Sequence, residues 1–331
     1  MPTPRQPGNA TLTAVPGIAV GHCTLAERPT GCTVVLTGRG ATAGVDVRGA
    51  APATRETDLL GAVNVVQQVH AIVLSGGSAY GLDAAAGVMR FLEERGVGFA
   101  FGGVRVPIVP GAALFDLAIG DPRVRPSAEH GYRAAAAASG APVAEGSVGA
   151  GAGATFGKLA GVERAMKGGL GSAAIVLADG LIVAALAAVN AAGDVVDPAT
   201  GAIVAGARAA DGAGFADARR LVRAGAPGLA GRQPGAHTTL GVVATNAALD
   251  RPAATRVAQM AHDGLARAIC PSHTSSDGDT IFALATGARA GADDASRIGA
   301  LAADAMAEAI LRAVREASGV PGFPALRDLR P

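Results

Sequence analysis

Thr238 and Thr239 stand where a Pro/Gly-rich, poorly periodic segment, 224–234, runs into the apolar, β-branched run 240–244. The first stretch reads as an exposed loop and the second as a buried strand, so two hydroxyls sit at a loop-to-core boundary. A threonine hydroxyl is a weak nucleophile unless a base lies beside it. One solution is an N-terminal threonine, whose own α-amine, with an unperturbed pKa of about 7.7–8, takes the proton. A threonine in mid-chain gains such an amine only if the chain is cut just before it. The plainer reading is that both residues simply start a strand, as β-branched residues do.

Other side chains share this placement at strand ends or glycine turns. Lys158 follows a stretch with five glycines in twelve residues (Gly146, Gly149, Gly151, Gly153, Gly157), Asn190 ends the apolar run 181–189, and Asp277 and Asp279 flank Gly278 just ahead of the run 281–285. Together with Thr238 they supply what acyl transfer requires: a nucleophile, oxyanion donors and orienting carboxylates. In this reading Asn190 donates to a developing oxyanion. Lys158 stabilises that oxyanion or keeps the amine of Thr238 neutral by charge repulsion, and the aspartates hold the hydroxyl or the amine. Taken singly, each has a simpler meaning: a solvated lysine, a turn asparagine, an Asp-Gly-Asp turn. The aspartates with His262 and His273 also form a possible metal donor set, but the spacing matches no standard zinc signature, and no metal or cofactor is expected. No Gly-x-Ser-x-Gly follows a strand, which leaves a Ser-His-Asp hydrolase unsupported. The turn Ser75-Gly76-Gly77-Ser78 lacks phosphate-loop spacing and reads as a tight strand-to-helix connection.

The elements that must hold these groups are those of an α/β protein. Half of the 331 residues are hydrophobic, only 3% are aromatic, and Trp is absent, so the core must pack through small side chains. Strands are expected over 18–23, 32–36, 43–47 and 69–74, and over 173–177 and 181–189 as a pair around the turn 178–180. Ser78 is expected to cap a helix carrying Leu82, Ala85, Val88, Met89 and Leu92, and 128–139 reads as a second helix. Segment 102–127 reads mostly as loop, and residues 1–10 as frayed. Asp250 and Pro252 open a helix with Val257, Met260, Ala261, Leu265 and Ile269 on one face. A C-terminal helix over 294–316 turns Ile298, Leu301, Ala305, Ile310 and Val314 inward. Basic and acidic residues balance at a net charge of +1 without a polybasic arm, so no nucleic-acid partner is expected. Three cysteines without metal-type spacing, no signal-peptide pattern and no apolar run long enough to span a bilayer point to a reduced, cytoplasmic protein off the membrane. No internal repeat or domain boundary interrupts 1–331.

The chain resembles the self-processing aminopeptidases of the DmpA type, a family that includes β-aminopeptidases and nylon-oligomer hydrolases. The resemblance covers most of the sequence. It rests on Val15-Pro16-Gly17-Ile18, Pro29-Thr30-Gly31-Cys32-Thr33, Gly44-Val45-Asp46-Val47-Arg48-Gly49, Thr54-Arg55-Glu56-Thr57-Asp58 and Ser75-Gly76-Gly77-Ser78-Ala79-Tyr80-Gly81. Its most specific parts are Lys167-Gly168-Gly169-Leu170-Gly171, the stretch 238–246 and Asp277-Gly278-Asp279-Thr280. It implies a four-layer αββα sandwich of the N-terminal-nucleophile type. The precursor would cut itself between His237 and Thr238 into 1–237 and 238–331, with Thr238, not Thr239, as nucleophile. Threonine there, with Lys158, Asn190, Asp277 and Asp279, is most similar to the nylon-oligomer hydrolase branch, although that branch has Asn where this chain has His237. The implied substrate is a small peptide, amino-acid amide or amide oligomer, and the implied assembly is a homo-oligomer, a tetramer by analogy. The related ornithine acetyltransferases also mature at a threonine, but their Lys-Gly-Ser-Gly-Met-type signature is absent, which ranks acyl transfer to an amino acid below hydrolysis. An uncut binding protein on the same scaffold is the alternative from a different class.

Overall fold

A computed structural model describes residues 8–212, 214–225, 236–291 and 294–329. Residues 1–7 of the segment expected to fray, and 226–234 of the loop expected before Thr238, lie outside the described residues. The main sheet has nine strands: β1 (Ala19–Thr24), β2 (Gly31–Val47), β3 (Ala53–Arg55), β4 (Gln68–Ser75), β5 (Gly111–Ala113), β6 (Leu170–Val176), β7 (Ile182–Asn190), β8 (Thr238–Thr245) and β9 (Thr280–Ala285). They run in the order β6-β7-β8-β9-β2-β4-β5-β3, with β1 also paired to β2. The principal helices are α1 (Ala84–Glu93), α2 (Ala128–Ala136), α3 (Arg251–Ala268) and α4 (Ala295–Arg315).

Alternation along the strands builds the layers. Val35, Leu74, Leu186, Val242 and Phe282 fall into one apolar cluster, although they come from opposite halves of the sheet, so those halves face each other across a common core. Their sequence neighbours point outward. Val183, Val243 and Ile281 pack against Val257 and Leu265 of α3 and Ile298 and Ile310 of α4. Val34 and Val73 pack against Val88 and Leu92 of α1 and Ala134 of α2. Helices, half-sheet, half-sheet and helices are the expected four layers. Burial on both faces also explains why β7 and β8 read as continuous apolar runs rather than alternating ones.

Local signals set the helix starts. Asp250 Oδ1 accepts the Ala253 N–H at 2.8 Å at the head of α3, and Asp294 Oδ1 accepts the Ser296 N–H at 2.9 Å at the head of α4. Ile269 lies just past the end of α3, in extended backbone. Two expectations change. The strands expected over 32–36 and 43–47 are one strand, β2, whose register against β4 shifts between Leu36 and Ala41. Gly38 and Gly40 adopt positive φ there, so the glycines mark a bulge rather than a break. Ser78 caps nothing: it has φ +56° and opens a short 3-10 turn, 78–83, ahead of α1. Segment 102–127 is mostly loop, as expected, and within it lie only β5 and a short strand over 104–106.

Strands from either side of position 238 are interleaved. β8 and β9 lie at the centre, with β6 and β7 on one flank and β2 and β4 on the other. Among the described residues, no helix is long and apolar enough to cross a membrane.

Close helix packing depends on small side chains. A Cβ on Gly264 of α3 would lie 2.0 Å from the Ala303 carbonyl oxygen of α4. Gly264→Val should therefore force the two helices apart and cost at least about 2 kcal/mol. Urea unfolding would show it as a lower midpoint at unchanged slope; an unchanged midpoint would refute this account of the contact.

Candidate active site

Strand direction gathers the candidate residues. β7 and β8 are antiparallel, with Asn190 opposite Thr238, so the end of one strand meets the start of the other. β8 and β9 are parallel, with Leu240 opposite Thr280, which brings the residues preceding β9 to the same rim. An isolated parallel bridge, His237 to Asp277, extends that pairing past the strand starts. Lys158 arrives through the backbone: its N–H donates to Ala192 O at 2.9 Å, just beyond the end of β7. Thr238, Asn190, Lys158, Asp277 and Asp279 are all buried.

Thr238 Oγ1 donates to the carbonyl oxygen of His237, the residue before it. That oxygen also accepts the Gly278 N–H at 2.9 Å. The peptide bond ahead of Thr238 is thus gripped by a backbone donor with the hydroxyl alongside it. Gly278 must be glycine at this approach, because a Cβ would stand 2.9 Å from Thr238 Oγ1 and 2.8 Å from Ala51 O. Thr239 follows on the opposite face of the strand; its N–H donates to Asp279 Oδ1 at 2.6 Å.

Lys158 Nζ donates to Asn190 Oδ1 at 3.0 Å, to Asn190 O at 3.1 Å and to Ala236 O at 3.3 Å. Asn190 Oδ1 also accepts the Thr155 N–H at 3.0 Å, and Nδ2 donates to Phe115 O at 3.0 Å. The Asn190 donor expected to face an oxyanion is thus taken by Phe115, and the side chain orients Lys158. Of the two roles expected of the aspartates, holding the hydroxyl or holding the amine, the first is absent: neither bonds to Thr238 Oγ1. Asp279 holds the adjacent amide of Thr239 and accepts His273 Nδ1–H at 2.8 Å, while Asp277 Oδ2 accepts the Thr274 N–H at 2.8 Å. Asp277 Oδ1 is buried with no hydrogen-bond partner among the described residues. Burial, and then the negative charge of Asp279, push the Asp277 carboxyl up to about 6, against the opposing pull of its Thr274 bonds and Lys158.

A cavity of about 330 Å³ opens beside these groups, lined by Phe115, Ile119, Thr155, Lys158, Val162 and His237, among others. Its wall is fixed from behind by a buried Arg28–Asp116 ion pair. Asp116 Oδ1 accepts the Gly77 N–H at 2.9 Å, and Oδ2 accepts the Thr30 hydroxyl at 2.6 Å. The glycine turn after β4 therefore does hold an anion, the carboxylate of Asp116. Lys167, drawn down to about 7 by burial, donates to Gly151 O at 2.9 Å and Gly168 O at 2.7 Å, tying the glycine-rich run to the start of β6. Sequence reasoning missed Gly278 as a donor, His273 as a partner of Asp279, and Phe115 and Asp116. Only the Gly278 signal was within reach, because Asp-Gly-Asp was read for its carboxylates and not for the amide between them. His262 lies behind His273, with ring centroids 4.8 Å apart, and among the described residues no group of three or more His, Cys, Asp or Glu side chains could hold a metal ion.

Comparison with known proteins follows the same lines. The profile of peptidase family S58 matches residues 10–326. A protein of Mycobacterium tuberculosis (strain ATCC 25618 / H37Rv), named as an uncharacterized aminopeptidase, is 46% identical over 346 residues, covering 97% of this chain and 98% of its own length. A 6-aminohexanoate-oligomer endohydrolase of Kocuria sp. (strain KY2) is 32% identical over 283 residues, covering 85% and 77%. Among solved structures, a β-aminopeptidase of Burkholderia sp. superposes with a TM-score of 0.70 at 27% identity, covering 95% of this chain and 88% of that one. The L-aminopeptidase D-Ala-esterase/amidase of Ochrobactrum anthropi, described as a variant of the Ntn hydrolase fold, superposes with a TM-score of 0.68 at 19% identity and supports the fold alone.

The raised Asp277 carboxyl has a measurable cost. Below about pH 4 folded and unfolded chains both hold its proton; between the ordinary aspartate value of 3.8 and about 6 only the folded chain does. Native stability therefore falls as pH rises through that window and stays reduced above it. Asp277→Asn, made in a Thr238→Ala background, should be stabilised by on the order of 2 kcal/mol at pH 8 relative to its effect at pH 4. Urea unfolding at the two pH values measures this, and an effect independent of pH would refute the buried proton.

Proposed function

The chain belongs to peptidase family S58, and we propose that within it the chain is a self-cleaving amide hydrolase with Thr238 as its N-terminal nucleophile. Membership makes it a peptide or amide hydrolase; the identity of the nucleophile and the self-cleavage are the proposal. The observation that carries it is the Thr238 hydroxyl lying against the His237 carbonyl while the Gly278 N–H already holds that carbonyl oxygen. In the first stage Thr238 Oγ attacks the His237 carbonyl carbon, and the developing oxyanion remains on the Gly278 amide. The bond from that carbon to the Thr238 nitrogen breaks, the hydroxyl proton ends on the departing nitrogen, and an ester joins His237 to Thr238 Oγ. Water then cleaves the ester, leaving 1–237 and 238–331 with a free α-amine on Thr238.

In the second stage that amine is the base for its own hydroxyl. A substrate carbonyl enters where the His237 carbonyl stood and is attacked by Thr238 Oγ; its C–N bond breaks, the departing amine takes the proton held by the α-amine, and water then hydrolyses the acyl-enzyme ester, freeing the acid and restoring the Thr238 hydroxyl. Lys158, held by Asn190, places its positive charge near the new amine and favours its neutral, proton-accepting form. Asp279 keeps the strand start in place through the Thr239 amide. The cavity walled by Phe115, Ile119 and Val162 favours a substrate with an apolar acyl segment. The names of the relatives, a β-aminopeptidase and a 6-aminohexanoate-oligomer endohydrolase, support a linear amide in which the reacting carbonyl carries a stretch of methylene groups. A cytoplasmic homo-oligomer belongs to the same proposal. Three free cysteines and the exposed apolar side chains Phe101 and Val65 support it, and a monomer in sedimentation would count against the assembly.

The intact masses of purified protein should correspond to 1–237 and 238–331. Thr238→Ala should abolish both the cut and amide hydrolysis. Thr239→Ala should keep both, losing about 1 kcal/mol of stability. One full-length band after prolonged incubation, or equal loss from the two substitutions, would overturn Thr238 as nucleophile.

A further inference from the structure

His273 takes no part in the steps above, yet its backbone is bent to reach the site. It adopts φ +54°, a left-handed conformation uncommon for a residue other than glycine. That bend lays both its backbone N–H and its Nδ1–H on one oxygen, Asp279 Oδ2, at 3.1 and 2.8 Å. The other oxygen of Asp279 takes the Thr239 amide. His273 Nε2 is buried without a hydrogen-bond partner among the described residues, so the Asp279 bond sets the ring's tautomer. Behind it stands His262, edge to face, whose Nε2 lies 3.0 Å from Asp46 O and 3.6 Å from Asp46 Oδ2, and Arg48 Nε donates to that same Asp46 oxygen at 2.7 Å. The charged and titratable groups around the two aspartates are thus His273 on their own loop, His237 bridged to Asp277 just before β8, His262 on α3, Asp46 and Arg48 on β2 and just beyond it, and Lys158 across the site.

The two aspartates have unequal surroundings. Asp279 accepts three N–H donors, whereas Asp277 has donors on one oxygen only and the other oxygen is buried bare. We propose that His273 is a positioning residue for the pair: by donating its backbone N–H and Nδ1–H to one oxygen of Asp279 it keeps the other oxygen turned to the Thr239 amide, and leaves Asp277, with one oxygen bare, as the acid that takes up the pair's proton. This deepens, and rests on, the proposed use of Thr238. Asp279, held on both oxygens, fixes the start of β8, and because Asp277 keeps its proton up to about pH 6, the pair adds a second negative charge to the buried rim only above that.

His273→Phe keeps a ring but removes the donor; His273→Asn keeps an N–H close to the position of Nδ1. Two readouts test the pair. The first is the pH dependence of kcat/KM for amide hydrolysis by matured protein. The acid limb should move up by about one pH unit in His273→Phe, which loses the ring donor to Asp279, and should stay near wild type in His273→Asn. The second is carbon-13 carboxyl NMR of the uncut Thr238→Ala protein, which needs no activity. Asp277 should titrate near 6, and His273→Phe should move that titration while His273→Asn leaves it in place. The proposal is overturned by a limb unmoved in His273→Phe, by a limb moved equally in His273→Asn, or by a resonance showing Asp279 as the proton carrier. If wild-type protein neither cuts itself nor hydrolyses amides, the reading of Thr238 fails instead, and the NMR titration still decides the role of His273.

Discussion

The hydrogen bond from the Gly278 amide to the His237 carbonyl oxygen is the contact on which the site is built. It exists because β8 and β9 run parallel in adjacent positions, so the residues leading into each strand lie side by side. It needs a bare glycine between the two aspartates, since a Cβ there would meet Thr238 Oγ1 at 2.9 Å. One small residue thus lets a backbone donor, a hydroxyl and the bond between His237 and Thr238 occupy the same few ångströms. A backbone amide is also a donor that needs no reorganisation as charge develops on its acceptor.

Around that contact the protein gathers charges in a region largely closed to water. The arrangement is tolerable because nearly every group has partners. Lys158 is held by three carbonyl-type oxygens, Asp279 by three N–H donors, and Asp116 by Arg28, Thr30 and Gly77. Asp277 is held less fully, since donors reach only one of its oxygens among the described residues. Its bare oxygen and its upward-shifted carboxyl have one cause, a carboxylate buried next to another with too few donors to hold its charge.

The frame around the site suits a chain cut in the middle. The two central strands follow position 238 and their neighbours on both sides precede it, so the products of a cut would stay joined by strand pairing and by a shared core. Packing with so few aromatics depends on backbone approach instead of bulk: α3 crosses α4 at Gly264, and a Cβ on Gly44 of β2 would lie 2.2 Å from the Thr255 amide of α3. Dispersion contacts of this kind are individually small and strong only in sum.

The sequence by itself determined much of this. The continuous apolar runs of β7 and β8 announced strands buried on both faces, and Asp250 and Asp294 announced helix starts that formed as capped ends. The positions of Lys158, Asn190, Thr238, Asp277 and Asp279 at strand ends and glycine turns were legible because each follows or precedes a hydrophobic run, and the structure brings all five to one rim of the sheet. What each side chain touches was not legible. That Asn190 serves Lys158 and Phe115, that Asp279 takes His273, and that the glycine turn after β4 holds Asp116 depend on residues up to 75 positions apart in the chain. Local patterns reveal which backbone groups will be buried or turned; they carry no information about which distant partner satisfies them. The β2 bulge shows the same limit, since Gly38 and Gly40 look like a strand break in sequence and only the pairing with β4 and β9 keeps the strand going. Tertiary structure decided the hydrogen-bond assignments because a buried polar group must find a partner, and the fold alone determines which partners are within reach.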